Sequence, residues 1–196
     1  VTDTNTFETT QVGSAERSAQ LRKFMQTAQP SGRERTFGED EIIVSKTDTR
    51  GTLTYVNPVF LRLADLEERE AIGAPHSVIR HPDMPRGVFK LLWDRIQSGQ
   101  EVFAYVVNMA RNGDHYWVLA HVTPTFDAAG RITGYHSNRR APDRAALAEV
   151  QAIYARMRQV EATAGAKQAA ADASVAALTS MLADQGLTYD QFIFSR

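Results

Sequence analysis

The 196-residue chain has no cysteine. That excludes disulfides, thiolate zinc sites, iron–sulfur clusters and cysteine nucleophiles, and it fits a reducing cytoplasm, the expected location. No stretch reaches the roughly 18 consecutive apolar residues of a membrane span. The first 18 residues lack the charged-then-apolar layout of a secretory signal. There is also no excess of one charge sign: the net charge is −1, which advertises neither nucleic acid nor an anionic membrane surface. No nucleophile–base pair, phosphate loop or metal-ligand cluster is found, so enzymatic activity is not expected. What is present is ordinary for a globular chain, 43% hydrophobic and 23% charged, and the length suits one domain with extensions or two small ones.

Composition divides the chain into three parts. Residues 1–36 are expected to form a flexible, Thr-rich segment through residue 13 and then an amphipathic helix, with Leu21, Phe24, Met25 and Ala28 at helical spacing. Pro30-Ser31-Gly32 breaks it. Residues 37–142 alternate differently. Glu41–Lys46 and Leu53–Val56 read as strands, and Asn57-Pro58 as a helix start with Asn as N-cap. A helix from Pro85 to Gly99 carries an apolar stripe of Phe89, Leu92, Trp93 and Ile96. Three strands follow, Val102–Ala110, His115–Thr125 and Ile132–Asn138, the first two joined by an Asn112-Gly113 turn. The expectation is an α+β domain with a five-stranded antiparallel sheet and helices on one face. Residues 143–196 form a helical extension. Ala146, Val150, Ile153, Met157, Val160 and Ala164 make a heptad seam, expected to support a homodimer.

The hairpin also yields a register. With Arg111–Asp114 as the turn, Asn108 faces Trp117, and the two share a face with Ala104, Val106, Leu119 and His121. That face is expected to look towards the helices and a pocket. The opposite face is left for the N-terminal helix or a second subunit. An Asn buried in mid-strand costs about 1–3 kcal/mol if unpaired, so Asn108 either bonds a neighbouring group or reads the edge of a heterocycle. Arg80 sits beside Val78 and Ile79. Its partner is either a ligand phosphate or ring atom, or a carboxylate such as Asp83 or Asp94. His76 and His81 are five residues apart and do not make a metal pair.

These residues carry a resemblance. Asn57 with Phe60 (NPVF), PHSVIRHPDMP, the Phe89/Trp93 helix, Asn108, and RNGDHYWV followed by VTP are similar to the PAS domain of Aer-type bacterial aerotaxis receptors. About half the chain is covered. The resemblance implies non-covalently bound FAD whose redox state follows electron transport or oxygen. It places FAD-binding residues at Asn57, His76, Arg80, Phe89, Trp93 and Asn108, and retains Trp117. It further implies a cytoplasmic sensor that passes its signal through flanking helices to a chemoreceptor, a histidine kinase or a cyclase. Without cysteine, photochemistry through a cysteine adduct is excluded. The chain departs from the receptors in GQEVFAYVVN (Gly99–Asn108), which lacks a Trp common there. Their membrane anchor, HAMP segment and methyl-accepting hairpin are not expected within these residues. Two other readings remain open: a haem gas sensor with His76, His81 or His121 as axial ligand, and a scaffold whose pocket holds no switching cofactor.

Overall fold

The computed structural model describes residues 5–195. Helix α1 (Asn5–Thr27) begins well before Ser14, so the Thr-rich stretch from Asn5 onward is helical. The flexibility expected of residues 1–4 lies outside the described residues. Next come β1 (Ile43–Thr47), β2 (Leu53–Val56), α2 (Pro58–Ala64), α3 (Glu68–Ala71), a 3₁₀ turn (His76–Ile79) and α4 (Arg86–Gln97). Strands β3 (Val102–Met109), β4 (His115–Phe126) and β5 (Ile132–Arg140) lead into α5 (Arg144–Thr163), α6 (Lys167–Ala183) and α7 (Tyr189–Phe194).

The five strands form one antiparallel sheet in the order β2-β1-β5-β4-β3. Local chemistry sets the helix limits. The Asn57 side chain accepts from the Phe60 amide at 3.0 Å and Pro58 opens α2, while Asp65 in the left-handed region (φ 57°) closes it. Asp143 caps α5 by accepting from the Ala145 amide at 2.8 Å.

The β3–β4 register differs by one residue from the expected one. Asn108 pairs with Tyr116, and Val107 pairs with Trp117. The loop contains Ala110 as well, because the Ala110 amide donates to the Asp114 carbonyl at 2.7 Å and the Ala110 carbonyl accepts from the Gly113 amide at 3.0 Å. One residue of slip moves a side chain to the other face. Asn108 therefore shares the helix-covered inner face with Val106, Tyr116, Val118, Ala120 and Val122, and Trp117 points to the outer face with Leu119 and His121.

Helices α2 to α4 cover the inner face. Helix α1 does not take the outer face; it packs on α3 and the 3₁₀ turn. Its exit, residues 31–35, is tied to the hairpin tip, where the Arg35 amide donates to the His115 carbonyl at 2.7 Å. There Asp114, 3% exposed, accepts from Ser31 Oγ, Arg33, Arg35 and Asn112.

The C-terminal helices close the β3 edge. An edge strand leaves unpaired backbone groups. Here the Tyr189 hydroxyl donates to the Phe103 carbonyl at 2.8 Å, and the Tyr154 hydroxyl to the Tyr105 carbonyl at 2.6 Å. The Val107 amide donates to the Met84 sulfur at 3.3 Å. Helix α6 crosses α4 at Gly87, where a Cβ would lie 2.7 Å from the Ser174 Cβ, so only glycine permits this approach. The heptad seam is used inside the chain: Ala146, Val150, Ile153 and Met157 are buried in the same core as the sheet. Spacing of four and three specifies a buried stripe on a helix but not whose surface meets it, and here these four positions meet the chain's own core.

Candidate functional site

The inner face of the sheet and helix α4 enclose a cavity of about 230 Å³. Its apolar walls include Phe89, Leu92, Trp93 and Ile96 from α4, facing Val106, Ala120 and Val122 from the sheet. Trp93 meets Tyr135 edge-on, with ring centroids 5.5 Å apart. The β1–β2 turn comes within reach of Trp93 because Gly51 (φ 83°) has no side chain; a Cβ there would lie 3.2 Å from the indole.

The floor is polar. The amide of Asn108, 3% exposed, has no partner for its Nδ2. Tyr116, opposite it on β4, has no partner for its hydroxyl. Arg139, 2% exposed, comes in from β5. It donates through Nε to Ser137 Oγ at 3.1 Å and through Nη2 to Ser45 Oγ and to His76 Nε2, the last at 2.6 Å. Its Nη1 has no partner, and among the described residues no carboxylate pairs with it. Burial lowers its pKa to about 10, so it remains a cation at neutral pH.

His76 is set by that cation. An arginine cannot accept, so His76 Nε2 must present its lone pair and the ring proton sits on Nδ1. Burial first, then the charge of Arg139, hold the imidazole pKa down to about 3. The floor therefore carries the Arg139 cation beside a neutral imidazole.

Arg80 forms another part of the wall. Its guanidinium lies 4.0 Å from the centroid of the Phe89 ring and donates to the Met84 carbonyl at 3.3 Å. The carboxylates considered as its partners are engaged elsewhere: Asp94 pairs with Lys90, and Asp83 lies near His81. Burial, with Arg86 close by, lowers the Arg80 pKa to about 10.

Of the expected site residues, His76, Arg80, Phe89, Trp93 and Asn108 meet at this cavity. Asn57 does not line it. Its amide is spent on the chain, accepting from Val44 and Phe60 and donating to the Ile42 carbonyl at 2.8 Å. Trp117 does not line it either; it lies on the outer face beside Tyr154, with ring centroids 6.2 Å apart. Of the histidines considered as haem ligands, His76 lines the cavity, with its Nε2 engaged by Arg139. His121 bonds Glu101 on the outer face, and His81 Nδ1 accepts from the Asp83 amide.

Arg139, Ser45 and Ser137 were not anticipated. A signal existed: Tyr135, Ser137 and Arg139 alternate along one strand, so all three share a face.

This arrangement, a five-stranded antiparallel sheet cupping a cavity under short helices, is a PAS fold. The family model for the PAS fold matches residues 53–139. Within that class, the relatives include the aerotaxis receptor of Escherichia coli (strain K12), 34% identical over 118 residues, covering 60% of this chain and 23% of the receptor. The nitrogen fixation regulatory protein of Klebsiella pneumoniae is 25% identical over 99 residues, covering 50% of this chain and 20% of that protein. The chain thus spans less than a quarter of the length of these relatives. A solved light-oxygen-voltage domain structure studied with a flavin analogue superposes with a TM-score of 0.50 at 15% identity, covering 57% of this chain and 84% of that chain. Among the described residues no helix is long and apolar enough to cross a membrane.

Proposed function

We propose that the chain is a sensory PAS protein that holds FAD non-covalently in this cavity and reports redox state or oxygen to a partner through its flanking helices. The observation that carries the reading is the pair of buried donors without protein partners, Asn108 Nδ2 and Arg139 Nη1, on the floor of a cavity walled by Trp93 and Phe89. Leaving a buried donor unpaired costs about 1–3 kcal/mol, and more when it is charged. A planar heterocycle with acceptors along one edge satisfies such donors while its faces meet the aromatic walls. Similarity to the aerotaxis receptor supports the same reading.

Bound flavin would supply a redox-dependent change in the charge and hydrogen-bonding character of its ring edge. The chain's part is to hold that edge. Asn108 offers an amide that can turn donor or acceptor to it. Arg139 offers a charge that favours the more anionic state of whatever lies against it, and the neutral His76 does not add a second cation. Arg139 lies four residues before Asp143, the cap of α5. A change in its bonding is therefore close to the start of the helices that would carry the output to a chemoreceptor, a kinase or a cyclase.

The test is the visible spectrum of the purified protein before and after anaerobic dithionite. A two-band yellow spectrum that bleaches, with FAD released on heating, is the expected result. A Soret band would replace this reading with a haem sensor. A colourless protein that takes up no added FAD would leave a scaffold.

A further inference from the structure

Ser77 and Arg80 face two chambers. The first is the cavity just described. The second, about 860 Å³, lies among α1, the 3₁₀ turn and the junction of α5 with α6. Around it stand Arg22 of α1, Arg86 at the start of α4, Arg158 of α5, Lys167 at the start of α6, and Arg80. Glu161 is the acidic residue of this lining, and its Oε1 accepts from the Gly87 amide at 3.1 Å. Among the described residues no ion pair joins any of the five cations to a carboxylate. Arg158 spends Nη1 on the Asp83 carbonyl at 2.7 Å.

Five cations around one chamber repel one another over a screening length of about 8 Å at physiological salt. An anion placed among them removes that repulsion, and guanidinium groups suit phosphate oxygens in particular. Size points the same way. Pockets that bury a whole ligand measure about 300–1,000 Å³. The first chamber, at about 230 Å³, has room for a ring system but not for a dinucleotide as well. Arg80, over the Phe89 ring, lines both chambers.

We propose that the second chamber receives the phosphate groups of the bound dinucleotide, held by Arg80, Arg86, Arg158 and Lys167. The proposal rests on the flavin reading above. It assigns a binding role to residues outside the segment that matches the PAS fold, since Arg158 and Lys167 fall beyond residues 53–139. The flanking helices then do more than cover the sheet: they contribute to the binding site.

The experiment compares riboflavin, FMN and FAD binding to the ligand-free full chain, by flavin fluorescence and calorimetry. FAD should bind at least about tenfold more tightly than riboflavin, with FMN between, and raising the salt should narrow the gap. Arg158→Gln and Lys167→Gln, and both combined with the exposed Arg86→Gln, should bring FAD towards riboflavin while leaving riboflavin affinity unchanged. Equal losses for all three ligands, or an intact FAD preference in the triple variant, would overturn the proposal. Riboflavin binding as tightly as FAD to the unaltered chain would overturn it too, with the ring reading still standing. A chain that binds none of the three would end both.

Discussion

Two polar clusters in this molecule are built in opposite ways. At the hairpin tip, Asp114 receives hydrogen bonds from Ser31, Arg33, Arg35 and Asn112, and the two arginines and their neighbours hold its carboxyl well below the usual range. In the cavity, Arg139 is as buried but has serines and a histidine instead of a counter-ion, and one of its nitrogens has no partner. The first cluster is complete in the chain alone. The second is incomplete, and nearby Asn108 and Tyr116 share the deficit. A saturated cluster holds the fold; an unsaturated one in a cavity is a cost the fold bears in readiness for a ligand.

The contrast is broken most sharply by Arg139→Met. Removing an unpaired buried charge should leave the ligand-free protein as stable as before or more so. Loss of a charge-assisted hydrogen bond, worth about 1.5–3 kcal/mol, should weaken flavin binding about 10- to 100-fold. Asp114→Ala should do the reverse, lowering the thermal midpoint while leaving the relative affinities for different flavins alone. Scanning calorimetry and binding titrations on the two variants decide the matter; a matching response from both would dissolve the distinction.

A smaller effect comes from His76. Its folded pKa, about 3, lies below the unfolded value near 6.5. Between these values the unfolded chain binds the extra proton, so the stabilisation is complete above pH 6.5 and is lost as pH falls towards 3. The integrated loss is on the order of a few kcal/mol. Denaturant titrations from pH 6.5 to 4.5 should show this slope, and His76→Gln should reduce it, with His81 and His136, whose pKa values burial also lowers, keeping a share.

The smallest effects test the register. Asn108→Ala removes one neutral hydrogen bond of about 1 kcal/mol and should weaken flavin binding about fivefold. Trp117→Phe, on the outer face, should change it by less than about twofold. Equal losses from both would mean that the face assignment is wrong.

The sequence showed the five strands, the α4 stripe and the N-cap at Asn57, because each depends on neighbours within a few residues. The face of Trp117 was not legible. It depends on whether Ala110 belongs to the loop, and Asn112-Gly113 marks the turn without fixing the number of loop residues. Arg139 was missed because the strand was expected to stop at Asn138 and Arg139-Arg140 reads as a solvated strand end. Its burial is imposed by His76 and Ser45, each more than 60 residues away in sequence. Asn57 shows the opposite case: a residue implicated by resemblance has its amide engaged between β1 and α2.

The tyrosine-capped β3 edge bears on where this protein can be divided. Residues 53–139 are the part that travels recognisably between proteins. The backbone carbonyls of Phe103 and Tyr105, within that part, are closed by hydroxyls from Tyr189 and Tyr154, outside it. A fragment cut at residue 142 would keep the family's signature but present a raw strand to every other copy in solution. The inherited module and the piece that can live alone therefore have different borders, and a transplant of this domain into another protein must bring its own helices with it.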